Sequence, residues 1–232
     1  MSASGRFADR AEAGKALSRT LKGRDLTDAI VLAMPRGGIP VGLEIALAHS
    51  LPLDLVFVRK IGVPFQRELA AAAVVDGGAQ EIVFNDDVME QTGLTRAEIE
   101  TQAEIELAEI ARRRNVYLAG KSSPPLEGRT LILVDDGIAT GASVRAAIAA
   151  LGRKNPKRLI LAVPVAPDET LRLLRPLVDE LICLMKPDPF LAIGFHYRDF
   201  HQIGDAEVVK LLKTADAARS ATAPSAHGSD GR

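Results

Sequence analysis

The chain has 232 residues, enough for one sizeable α/β domain with additions and too few for two large ones. Its 29 Lys and Arg and 30 Asp and Glu are scattered along the chain and nearly cancel, which argues against a concentrated nucleic-acid surface. Aromatics are 4% with no Trp, so stacking platforms for single strands are unexpected too. The single cysteine, Cys183, rules out an internal disulfide scaffold, and its apolar setting Leu181-Ile182-Cys183-Leu184 reads as a core thiol.

Met1 to Gly14 has no apolar leader core, and no window is long and apolar enough to span a bilayer, so a cytoplasmic protein without a membrane partner is expected. Phe7 to Leu21 reads as an amphipathic helix ended by Gly23. Ala29 to Met34 is an apolar run meeting Pro35-Arg36-Gly37-Gly38, after which a helical stretch reaches about His49; strand, glycine turn and helix make a βα unit. Leu53 to Val58 reads as a second strand, with Arg59-Lys60 at its C-terminal end. Leu69 to Val75, Gly77-Gly78 and Glu81 to Phe84 suggest a hairpin.

A helical insertion over about 86–119 follows. Thr95 with Glu98 fits a capping box, and Ile99, Ala103, Leu107, Ile110 and Tyr117 recur on one helical face. The Arg112-Arg113-Arg114 run suits a solvated helix end. Leu131 to Val134 is a short, fully apolar strand, as in the centre of a parallel sheet. A helix from Ala142 to about Arg153, a strand from Arg158 to Val163, a helix from Asp168 to Leu174 and a strand from Glu180 to Leu184 complete the alternation. The pattern predicts an α/β fold, a three-layer doubly wound and mainly parallel sheet with ligands beyond the strands' C-terminal ends. Residues 1–213 form the domain, with a small C-terminal hood over about 185–203; 214–232, poor in large apolar residues, reads as a disordered tail.

The most informative segment is Leu131-Ile132-Leu133-Val134-Asp135-Asp136-Gly137-Ile138-Ala139-Thr140-Gly141-Ala142-Ser143. An apolar strand delivers two carboxylates to its end, and small residues turn the chain into a helix. The first N–H groups of that helix, with the Thr140 and Ser143 hydroxyls, make a receptor for phosphate, aided by about half a positive charge from the helix dipole. Two carboxylates beside an anion site conflict with it unless they hold a ribose diol or a magnesium ion.

This run resembles the phosphoribosyl pyrophosphate motif of type I phosphoribosyltransferases. The resemblance implies that Asp135 and Asp136 bind the ribose, with Mg2+ held through the ligand, and that Gly137, Ile138, Ala139, Thr140, Gly141, Ala142 and Ser143 cradle the 5′-phosphate. Pro35-Arg36-Gly37-Gly38 stands where the family places its pyrophosphate loop, which often contains a non-proline cis peptide. Arg59-Lys60 is similar to a basic pair that faces pyrophosphate in purine and orotate enzymes. Arg36, Lys60, Asp135 and Asp136 are thus the implied catalytic residues. The stretch Phe190 to Phe200 resembles, more loosely, the hood that covers the base; it offers Phe190 and Asp199 as base-binding candidates and reads equally well as a satellite core. The best match is to bacterial predicted phosphoribosyltransferases sharing Pro-Arg-Gly-Gly, Arg-Lys and Val-Asp-Asp-Gly-Ile-Ala-Thr-Gly, from about Arg6 to Leu212.

The implied reaction displaces pyrophosphate from C1 of phosphoribosyl pyrophosphate by a nitrogen base. Where 6-oxopurine enzymes carry an Asp just before Thr-Gly, this chain has Ala139, as adenine enzymes do, so no general base is assigned. Two rival readings share the cradle, a non-catalytic sensor of the same ligand and a hydrolase releasing the sugar. An exposed helical insertion suits a homodimer.

Overall fold

A computed structural model describes residues 5–64, 66–77 and 80–222. The strands β1 (Ala29–Ala33), β2 (Leu53–Leu55), β6 (Thr130–Val134), β7 (Arg158–Val165) and β8 (Glu180–Met185) form one all-parallel sheet in the order β2-β1-β6-β7-β8. Every residue of β1 and β6 is buried, because helices cover both faces. Side chains alternate between the faces with period two. Val31, Ile132, Val134 and Ile160 meet Leu17, Val41 and Ile45 of α1 (Arg10–Thr20) and α2 (Gly38–His49), and Leu21 just past α1. Ile30, Leu131, Leu133 and Leu161 meet Val144, Ile148, Leu151 and Leu171 of α5 (Ala142–Gly152) and α6 (Asp168–Leu174) on the other. Helix, sheet and helix make the three layers expected of the doubly wound class.

One predicted strand is two. The run Leu53 to Val58 divides at Val56, whose N–H still donates to the Ala33 carbonyl at 3.0 Å, on the edge of the parallel sheet. Beyond it β3 (Phe57–Val63) leaves that sheet and pairs antiparallel with β4 (Gln66–Asp76), which pairs with β5 (Gln80–Phe84). The expected hairpin is therefore part of a separate three-stranded sheet; its Gly78 lies outside the described residues. Arg59 and Lys60 consequently sit inside β3, opposite Val74 and Ala73, and not at a strand's C-terminal end.

The insertion comprises α3 (Asp86–Thr92) and α4 (Arg96–Leu118). The Thr95–Glu98 capping box is formed, and Ile99, Ala103, Ile110 and Tyr117 are buried against Phe57, Ile61 and Val74 of the antiparallel sheet. The arginine run is not uniformly solvated. Arg112 and Arg113 pair with Glu109, but Arg114 reaches the buried Asp76 at 3.2 Å and Asp54 at 3.7 Å. The expected tail differs as well: α7 (Asp205–Thr222) includes Thr214–Thr222, and Ala215 and Ala218 line a cavity with Ala46 of α2 and Leu51 beyond it. Residues 223–232 lie outside the described residues. Among the described residues no helix is long and apolar enough to cross a membrane.

Candidate active site

Register places the site. Ala33 pairs with Val134, so β1 and β6 end level and their loops leave the sheet side by side. Met34 N–H donates to the Val134 carbonyl at 2.9 Å and continues the pairing one step into the loops. Pro35-Arg36-Gly37-Gly38 and Asp135-Asp136-Gly137 are thereby brought together, with a cis Pro35–Arg36 peptide. The contact is close enough to require glycine. A Cβ on Gly37 would lie 2.1 Å from Asp136 Oδ2, and one on Gly38 would lie 2.6 Å from the Val134 carbonyl oxygen.

The two acids occupy different surroundings. Asp136 is buried, and its Oδ2 accepts from Arg10 Nε at 2.7 Å. Arg10 opens α1, donates also to the His201 carbonyl at 3.0 Å, and lies 3.8 Å over the Phe200 ring. Asp135 remains partly open to solvent; its Oδ1 accepts from the Asp136 N–H at 2.8 Å. Burial, then the neighbouring Asp136 charge, pushes the Asp135 carboxyl well above the ordinary carboxylate range. Burial raises Asp136 too, with the Arg10 hydrogen bond pulling the other way.

The rest of the loop is held by main-chain bonds. Tyr197 hydroxyl donates to the Asp136 carbonyl at 2.5 Å, Ile138 N–H to the Val165 carbonyl at 2.9 Å, and Thr170 hydroxyl to the Ala139 carbonyl at 2.7 Å. Gly137 packs under Ile193, where a Cβ would come within 2.6 Å. Gly141 caps α5 at φ +76°, a left-handed conformation that favours glycine, and Thr170 leaves no room there for a side chain. Ala139, Thr140 and Ala142 are exposed and Ser143 half-buried, so hydroxyls and helix N-terminus open together on solvent. These exposed donors stand beside the Asp135 carboxylate, at the place where the sequence reading expects a phosphate.

The basic residues divide. Arg36 NH1 is 3.5 Å from Asp205 at the start of α7, and Asp205 also accepts from the Tyr117 hydroxyl at 2.6 Å. In β3, neighbouring side chains take opposite faces. Arg59 turns to α4 and pairs with Glu106 at 2.6 Å. Lys60 lines a cavity of about 350 Å³ with Ala73, Asp86, Asp87, Ala142 and Arg145, on the side of α5. Lys60 also lines a second cavity with Gln102, Ile105 and Glu106 of α4.

In the hood, Phe190 stacks on His196 with centroids 5.9 Å apart and joins the satellite core of Phe7, Val165 and Tyr197. Asp199 is exposed and accepts from His201 at 2.9 Å. Ile193 and Tyr197 are hood side chains that meet the loop, at Gly137 and at the Asp136 carbonyl. Arg10, Tyr197, Thr170, Ile193 and Asp205 were not singled out from the sequence. Only Arg10 carried a signal: a cation in the first turn opposes the helix dipole, which implies a partner elsewhere.

The phosphoribosyl transferase domain profile matches residues 10–198. The chain belongs to this family. It is 41% identical over 209 residues to the proteins named "Putative phosphoribosyl transferase Rv0571c" and "Putative phosphoribosyl transferase MT0597", from two Mycobacterium tuberculosis strains. The match covers 90% of this chain and 47% of theirs, so the chain spans about half the length of these curated relatives. Among solved structures, TT1426 from Thermus thermophilus superposes with a TM-score of 0.79 at 35% identity, covering 89% of this chain and 97% of that one. Both loops described above lie inside the matched phosphoribosyl transferase region.

Proposed function

We propose that the chain transfers a phosphoribosyl group: a ring nitrogen of a base attacks C1 of phosphoribosyl pyrophosphate, and the C1–oxygen bond to pyrophosphate breaks. The observation that supports this most is the side-by-side exit of the Pro35–Gly38 and Asp135–Ser143 loops, packed so closely that Gly37 and Gly38 admit no side chain. One loop alone would be a sheet-edge turn; together they offer sites for both charged ends of the ligand.

Magnesium fits the residues present. Asp135 has a second carboxylate oxygen beyond the one used by the Asp136 N–H, and a hard oxygen donor beside an anion loop suits this ion, which keeps phosphate oxygens and waters as its other ligands. Bound there, the ion would neutralise charge gathering on the diphosphate. The chain supplies the rest. Thr140, Ser143 and the first N–H groups of α5 take the 5′-phosphate, and Asp135 takes the ribose hydroxyls. Arg36 and Lys60 meet the pyrophosphate, whose departure their charge assists, and Ile193 with the hood limits water at C1.

Titration calorimetry tests the binding half. Phosphoribosyl pyrophosphate is expected to bind with magnesium and to lose at least about tenfold in affinity in EDTA, the scale of one or more charge-assisted contacts. Equal affinity in EDTA would refute the metal-linked site. Pyrophosphate release is then measured with a panel of purines, pyrimidines and nicotinate-like rings. Acceleration by one of them supports transfer, whereas release without any base points to hydrolysis.

A further inference from the structure

We infer that Arg10 is a positioning residue that withdraws Asp136 from the ligand, so that Asp135 alone of the two loop acids meets the ribose and its metal. The inference rests on the phosphoribosyl reading above and adds a division of labour within the acid pair.

The geometry commits Asp136 through one carboxylate oxygen and its carbonyl. Its Oδ2 takes the Arg10 Nε bond, the same carboxylate presses on the Cα of Gly37, and its carbonyl takes the Tyr197 hydroxyl. Side chains of the Arg10–Asp136 pair are only 10% and 11% exposed. Asp135, one residue earlier, is partly exposed and, among the described residues, has only a main-chain N–H on its carboxylate. Of the two acids, Asp135 is the one a ligand can reach without breaking an ion pair.

Arg10 cannot readily swing to a ligand instead. Its second bond to the His201 carbonyl and its place over Phe200 fix the guanidinium plane. The segment before it is stitched to the hood: Phe7 N–H donates to the His196 carbonyl, Arg198 N–H to the Phe7 carbonyl and Asp199 N–H to the Ala8 carbonyl, each at 2.9 Å. A buried arginine with its bonds satisfied is an anchor, and a buried carboxylate deprived of it is an uncompensated charge.

That charge matters for the ligand proposed here. Phosphoribosyl pyrophosphate carries several negative charges, and two bare carboxylates at the loop would repel it twice over. Pairing one of them inside the protein leaves a single acid for the diol and metal.

The test is calorimetry of phosphoribosyl pyrophosphate with magnesium on wild type, Arg10→Met and Arg10→Met/Asp136→Asn, each checked for folding by thermal unfolding. The single variant is expected to bind at least about tenfold more weakly, the scale of one charge-assisted contact. The double variant is expected to return to within about threefold of wild type, because the unpaired charge has gone. Asp136→Asn alone separates this from relief of a buried charge: with Asp136 off the ligand it should bind within about threefold of wild type, and a loss of about tenfold or more would place Asp136 on the ligand and overturn the inference. A double variant as weak as the single one overturns the inference and returns Asp136 to the ligand. If Arg10→Met does not fold, Arg10→Gln, which keeps hydrogen bonds without the charge, takes its place with the same two outcomes. Wild type that fails to bind overturns the phosphoribosyl reading and this inference with it; binding without recovery overturns this inference alone.

Discussion

Replacing Gly37 by alanine tests whether the two loops are packed as tightly as the structure has them. The new Cβ would stand 2.1 Å from Oδ2 and 2.4 Å from Cγ of Asp136. Asp136 has little room to retreat, since that same Oδ2 is held by Arg10 at 2.7 Å in a buried setting. Either the Pro35–Gly38 loop lifts or the ion pair opens. Overpacking a well-filled site costs about 1–3 kcal/mol, and opening a buried pair about 3–5 kcal/mol. The cheaper route is taken, so the lower range applies. At about 2–4 °C per kcal/mol for a chain of this size, the melting temperature should fall by roughly 2–12 °C. A lifted loop also misplaces Arg36, so affinity for phosphoribosyl pyrophosphate should drop with it. Gly152→Ala is the control: a Cβ there meets nothing within 4 Å, and this variant should melt within about 2 °C of wild type. Circular dichroism melts and calorimetry read both effects. A Gly37→Ala protein that melts beside the control and binds normally would refute the packing.

Two further outcomes follow from ion pairs away from the loops. Arg114→Leu strips the cation from Asp54 and Asp76, both buried, and should cost about 3–5 kcal/mol, or roughly 6–20 °C in a thermal melt; a loss under about 2 °C would mean these acids are satisfied without it. The hydrogen bonds His201 donates to Asp199 and then to Glu207 raise its pKa, so this charge adds stability below the unfolded value and loses it as pH climbs through the folded one. NMR titration should place the His201 midpoint above 6.5 and Asp199→Asn should lower it; an unshifted midpoint would refute the pairing.

Much of the frame was legible because it depends on local pattern. The short apolar runs at Ala29 and Leu131, each followed by small residues, could only be buried strands feeding helix N-termini, and their shared register then follows from the parallel sheet. The Thr95–Glu98 capping box was likewise a local signal. The break at Val56 was not legible, because Leu53-Asp54-Leu55-Val56-Phe57-Val58 is equally apolar on both sides of it; membership of one sheet or the other is decided by tertiary partners. That break also separates Arg59 from Lys60, since pleat parity around a strand interior applies where a strand end was expected. The helix over Thr214–Thr222 was missed for another reason. Its alanines are poor in apolar bulk but are strong helix formers, and they extend a helix already anchored by Val208 and Leu212. Most of the site's supporting residues lay beyond reach because Arg10, Tyr197 and Thr170 meet the loop only through the fold.

Arg36 shows how these distant elements serve the site. Its guanidinium lies 3.5 Å from Asp205, whose carboxylate also takes the Tyr117 hydroxyl, so the Pro35–Gly38 loop leans on α7 and, through Tyr117, on the insertion helix α4. Tyr117 is well suited to the part: burial, and then the Asp205 bond, pushes its pKa up to about 12, so it stays a donor across the ordinary pH range. The Arg36–Asp205 side chains are 31% and 48% exposed, and a pair so open to water is worth about 0–1 kcal/mol. A diphosphate carries more charge than one carboxylate and presents oxygens suited to the guanidinium fork. If it binds here as proposed, it outcompetes Asp205 at small cost. The pair therefore aims Arg36 across the loop while leaving its hydrogen bonds available to the ligand.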